Sequence, residues 1–121
     1  MLDVKTFDDL PWKDVHYDNQ WYCSFNSPDP ISPGHLIYAP KDLNASSLAA
    51  AFKAAYDVGE FMVKTKQWDG FNLGLNYGES AGQNTNWPHL HLIPRFDGDI
   101  PNPKGGIKTI LSSIRNMLSG Q

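Results

Sequence analysis

Residues 86–96 read NWPHLHLIPRF, and His89 and His91 stand two apart in a run whose neighbours are mostly apolar. In an extended strand, side chains at i and i+2 share a face and lie about 7 Å apart. Trp87, His89 and His91 are therefore expected on one face, with Leu90 and Leu92 turned to a core on the other. Two adjacent imidazoles suit a small set of chemistries. One neutral ring can attack phosphorus while its neighbour, protonated or hydrogen-bonding, assists the leaving oxygen. A zinc ion would need further ligands, for which His35 is the obvious candidate. The bland alternative is a solvated pair on an exposed sheet.

The segment before the histidines favours phosphate chemistry. GESAGQNT, residues 78–85, is rich in small residues that let backbone N–H groups approach an anion, and Gln83, Asn84 and Thr85 add side-chain donors beside the rings. Upstream, GFNLGLNYG reads as a strand with Phe71, Leu73 and Leu75 on one face and Asn72, Gly74 and Asn76 on the other. The second face is polar and small, so the ring face is expected to be a pocket wall.

Other elements must hold these two strands. WKDVHYDNQWYCSF predicts a hairpin turning at Asp18-Asn19-Gln20, with His16 a half-exposed strand residue. SPDPISPG, residues 27–34, is a stiff loop entering a short apolar strand at His35 that Pro40 ends. Asn44 is the expected N-cap of one long helix through NASSLAAAFKAAYDVGEFMVKT, with Leu48, Phe52, Tyr56, Val63 and the alanines as its apolar face. Ile107, Ile110, Leu111, Ile114 and Leu118 predict a C-terminal helix over about residues 106–119. The element order favours an α+β domain built on a mainly antiparallel sheet rather than a doubly wound fold.

Composition narrows the partners. The 121 residues suit one domain, and a formal charge of -3 without a basic run argues against duplex nucleic acid. A single cysteine, Cys23, sits in an apolar stretch and reads as packing. The acidic N-terminal stretch is unlike a signal peptide, and no run of 18 apolar residues occurs, so a soluble, cytoplasmic protein without membrane association is expected.

Taken together, these motifs resemble the histidine triad (HIT) family of nucleotide hydrolases and transferases, whose signature is His-x-His-x-His with apolar x. LPWKDVHYDNQWYCSF is similar to the family's opening hairpin, PISPGHLIYAPK to its Pro-Gly-His strand, DGFNLGLNYGESAGQ to its next strand and phosphate loop, and WPHLHLIPRFDGD to the triad. The resemblance covers about residues 10–107. It implies a single HIT-like domain over 1–121, with a five-stranded, mainly antiparallel sheet, one long central helix and a C-terminal helix.

By the same resemblance His89 is the nucleophile that forms a nucleotidyl-histidine intermediate and His91 contacts the phosphate or the leaving group. His35 then lies beside the pair and Asn76, Gln83 and Asn84 lie around the phosphates, with Thr85, read from the loop itself, as a further substrate-binding donor. No metal cofactor is implied for the histidine step. Dinucleoside polyphosphates or nucleoside phosphoramidates are the implied substrates, and a homodimer the implied assembly. Two positions depart from the family. Trp87 takes the place of the first triad histidine, losing a ring that could bond His35 but keeping a main-chain carbonyl to orient His89. Ser27 stands where an acid or amide usually meets the ribose, for which Asn26 or Asp29 could substitute. Two other readings stay open: a nucleotide-binding module without turnover, and a zinc protein using His35, His89 and His91.

Overall fold

The structure is a computed structural model, and it describes residues 1–108. Five strands, β1 (Val15–Asp18), β2 (Tyr22–Asn26), β3 (Leu36–Pro40), β4 (Gly70–Leu75) and β5 (Leu90–Arg95), form one sheet in the order β1-β2-β3-β5-β4. Every neighbouring pair is antiparallel. One helix, α1 (Ala45–Lys64), connects β3 to β4. The expected C-terminal helix over 106–119 lies almost wholly outside the described residues. Among the described residues no helix is long and apolar enough to cross a membrane.

Local chemistry sets these boundaries. The Asn19 carboxamide oxygen accepts from the N–H groups of Trp21 and Tyr22 at 2.8 and 2.9 Å, which closes the β1–β2 turn as expected. Asn44 caps α1 by accepting from Ser47 N–H at 2.8 Å, worth about 1 kcal/mol to the helix. The face that α1 buries matches the expectation in its alanines, Leu48 and Val63 and departs from it at Phe52 and Tyr56. Ser47, Ala51, Ala55 and Gly59 form its buried stripe, while Phe52 and Tyr56 are 49% and 46% exposed. Small residues at every fourth position let the helix approach the sheet closely. A Cβ on Gly59 would sit 2.8 Å from the Phe71 ring.

The sheet has a core on each side. Toward α1 lie Leu36, Tyr38, Leu90 and Leu92 with Ala51, Ala55 and Trp68. The opposite face carries Cys23, Phe25, Ile37, Ala39 and Trp87, covered by Val4, Leu10 and Trp12, with Phe7 packed against them. The alternation of β5 is thus as expected, with the leucines toward the helix. Its ring face is only in part a pocket wall, because Trp87 belongs to the second core.

Residues 1–12, outside most of the resemblance, build that core and are anchored beside the histidines. Leu2 bridges Thr85 in parallel, with Leu2 N–H on Asn84 O at 2.7 Å and Asn86 N–H on Leu2 O at 3.0 Å. The Asn86 carboxamide accepts from Val4 N–H at 2.7 Å and donates to Val4 O at 3.1 Å. These bonds fasten the N-terminal strap to the start of the histidine segment.

Candidate active site

His89 lies just ahead of β5, after Pro88, which has no N–H to give to a ladder. Its Nδ1 is 2.8 Å from Trp87 O. A carbonyl can only accept, so the proton of His89 resides on Nδ1 and the Nε2 lone pair is free. Thr85 Oγ1 donates to the same carbonyl at 3.3 Å. The Trp12 ring packs on His89 at a centroid distance of 4.6 Å. The histidine is 5% exposed, and this burial lowers its pKa below the ordinary imidazole value, against a smaller opposing effect of the Trp87 carbonyl.

A second chain of hydrogen bonds orients His91. Ile31 N–H donates to His35 Nδ1 at 3.2 Å, which leaves the His35 proton on Nε2. That proton points at His91 Nδ1, 2.9 Å away. His91 therefore carries its own proton on Nε2. Burial, reinforced by His89 and His35, lowers the His91 pKa to about 4. His35 is lowered by burial too, with Asp29 partly offsetting the effect. Near neutral pH the rings of His89 and His91, 5.0 Å apart, thus present one lone pair and one N–H donor.

Both histidines open into a cavity of about 420 Å³. Leu2, Pro11, Trp12 and Ile37 supply its apolar walls, and His35, Ser27, Asp29, Asn84 and Thr85 its polar ones. Gly74 pairs with His91 across the β4–β5 ladder and adds no side chain beside it. The other expected residues sit differently. Gln83 lies outside this cavity and accepts from Gly78 N–H at 2.7 Å, closing the loop. Asn76 is exposed beyond the end of β4, outside the cavity lining. Ser27 Oγ accepts from Asp29 N–H at 3.3 Å, and Asp29, not Asn26, borders the cavity.

Trp87 contributes no wall to the cavity. Its indole N–H donates to Pro40 O at 2.9 Å in the buried second core. Among the described residues no three histidine, cysteine or acidic side chains are grouped as a metal site. His35 and His91 instead turn a nitrogen on each other.

Sequence reasoning missed Trp12, Leu2 and Asn86. Trp12, directly after Leu10-Pro11, had a usable signal as a large ring at the entry to the hairpin. Leu2 and Asn86 act through a long-range pairing that has no local signature.

A family profile of the HIT domain matches residues 12–98. An uncharacterised HIT-like protein of Methanocaldococcus jannaschii is 31% identical over 98 residues, covering 75% of this chain and 74% of that one. The asymmetrical bis(5'-nucleosyl)-tetraphosphatase of Schizosaccharomyces pombe is 32% identical over 92 residues, 70% of this chain but 50% of its own length. A Hit-like protein from Bartonella henselae superposes with a TM-score of 0.65 at 24% identity, covering 78% of this chain and 75% of that one. The profile spans the hairpin, the loop before His35, the helix and the histidine strand, and on it the chain belongs to the HIT domain family.

Proposed function

We propose that the chain is a nucleotide hydrolase or nucleotidyl transferase in which His89 attacks the α-phosphorus of a dinucleoside polyphosphate or nucleoside phosphoramidate. The observation that carries this reading is the fixed tautomer pair, a free Nε2 lone pair on His89 beside an N–H donor on His91. Relatives bear the names bis(5'-nucleosyl)-tetraphosphatase, AP-4-A phosphorylase and adenylylsulfatase, which support the nucleotide class.

His89 Nε2 displaces the leaving group, and Trp87 O accepts from the Nδ1–H that becomes more acidic as the ring gains positive charge. His91 stays neutral and acts through its Nε2–H, as a donor to the phosphoryl oxygens rather than as an acid. Asn84 adds a donor from the loop. Water then attacks the nucleotidyl-histidine, the P–N bond breaks with its electron pair returning to Nε2, and the nucleoside monophosphate leaves. Leu2, Pro11, Trp12 and Ile37 receive the base, and Asp29 takes the ribose hydroxyls in place of an acid at Ser27. We also propose a homodimer through the open edge of β4, which analytical ultracentrifugation tests.

Steady-state release of AMP from adenosine 5'-phosphoramidate and from diadenosine polyphosphates tests the activity. Turnover that falls by about 10⁴-fold or more in His89→Ala supports it. Tight calorimetric binding of these compounds, recovered intact after long incubation, contradicts it in favour of a binding module.

A further inference from the structure

Thr85 borders the histidine cavity, yet its hydroxyl is turned to the main chain. Oγ1 donates to Trp87 O at 3.3 Å, and His89 Nδ1–H donates to the same oxygen at 2.8 Å. A carbonyl oxygen has two lone pairs, so both bonds are held at once. Thr85, Trp87 and His89 are all buried, which keeps bulk water from competing for these bonds.

The peptide between Trp87 and Pro88 lacks the anchors that strand peptides have. Pro88 has no N–H, so the peptide cannot be fixed from its nitrogen side. It also lies ahead of the ladders that β5 makes with β3 and β4, both of which start at Leu90. Among the described residues no main-chain N–H donates to Trp87 O. The indole bond to Pro40 O fixes the Trp87 side chain and not the peptide that follows it. Pro88 confines Trp87 to extended backbone, but that well is about 40° wide in ψ and leaves the oxygen room to swing. Among the described residues, the group other than His89 itself that holds this oxygen is therefore the Thr85 hydroxyl.

Thr85 is in turn fixed from outside the segment. Leu2 bridges it in parallel, through Leu2 N–H on Asn84 O at 2.7 Å and Asn86 N–H on Leu2 O at 3.0 Å. These bonds set the main chain on both sides of Thr85, and its branched Cβ restricts where the hydroxyl can point.

We propose that Thr85 is a positioning residue for His89, whose hydroxyl, held by the bridge to Leu2, aims the Trp87 carbonyl at Nδ1 and so keeps the proton off Nε2. The inference rests on the reading of His89 as nucleophile and requires no contact between Thr85 and substrate. Without the hydroxyl, the carbonyl is held by the very ring it has to orient. His89 can then turn and populate the Nε2–H form, which has no lone pair for phosphorus.

The test sets Thr85→Val, which removes the hydroxyl, beside Thr85→Ser, which keeps it. Nitrogen-15 NMR of the ligand-free protein should show His89 as the Nδ1–H tautomer in the unaltered chain and in Thr85→Ser, and as a mixture with the Nε2–H tautomer in Thr85→Val. In a single turnover of adenosine 5'-phosphoramidate, adduct formation should slow by about tenfold or more in Thr85→Val, with AMP affinity kept within about twofold and most of the rate restored in Thr85→Ser. Thr85→Ala, which also lacks the hydroxyl, carries the same expectations should the valine variant not fold. An unchanged tautomer and rate in the variant without the hydroxyl overturn the proposal. A loss of AMP affinity with the tautomer unchanged overturns it too, because the hydroxyl is then a substrate donor, and so does a serine variant as impaired as the valine one. No adduct in the unaltered protein overturns the nucleophile reading instead, while the tautomer, read without substrate, still decides what holds the ring.

Discussion

Trp87 decides how the histidine pair is to be understood, because its side chain and its main chain do separate things. The indole fills the second core and bonds Pro40 O, while the carbonyl beneath it accepts from His89 Nδ1. A histidine side chain at this position is not required to orient His89. Trp87→His should therefore leave adduct formation no faster, and should cost about 2–4 kcal/mol by opening a void and losing a buried bond, as measured by denaturant unfolding. Trp12 packs on His89 and shields it from water. In the proposed reaction the attacking form of His89 is neutral, so activity should be lost as pH falls through its folded pKa, which burial sets below the ordinary imidazole value. His91 and His35 face it as neutral rings, and Asp29 is the charged group lining the same cavity. Trp12→Leu lets water reach the ring and should move the acid limb of the kcat/KM profile up toward 6.5.

At the scale of elements, the strand pattern of β5 and the N-cap of α1 were legible because each rests on neighbours in sequence. The buried face of α1 was legible in part, for the alanines are buried and Leu48 and Val63 pack against the core as expected. Hydrophobicity also favoured Phe52 and Tyr56, which the close approach of helix to sheet at Ala51, Ala55 and Gly59 leaves exposed. Gly59→Ala is a sharp test, since helix propensity alone gives a gain of about 1 kcal/mol. The Phe71 ring at 2.8 Å should reverse the sign, giving a loss of about 1–3 kcal/mol in thermal or denaturant unfolding. The N-terminal strap was hidden, because Asn86 reaches Val4 across 82 residues of chain. Asn86→Ala should cost about 1–2 kcal/mol and weaken AMP binding in calorimetry, as Leu2 loses its anchorage at the cavity wall.

For the molecule as a whole, the two-sided sheet explains why the site is both buried and open. One face is sealed by α1, and the other is half sealed by residues 1–12, leaving the histidines at the boundary of the second core. The antiparallel architecture and the histidine cluster were readable from motif order; which polar residues reach the cavity depends on how the loops pack. Asn84 and Thr85 reach it, while Gln83 closes its own loop. Holding these rings neutral ties stability to pH. His91 has a folded pKa of about 4 against 6.5 when exposed, so the unfolded chain takes up a proton that the folded one refuses as pH drops between those values. The melting temperature should fall over that window, and fall less in His91→Asn. The proposed function at this scale reduces to one covalent event. A single turnover of adenosine 5'-phosphoramidate, quenched and digested for mass spectrometry, should yield an acid-labile adenylyl group on the peptide containing His89, absent from His89→Ala. An unmodified peptide while AMP accumulates, or an adduct that persists in His89→Ala, would contradict the assignment of His89 as the nucleophile.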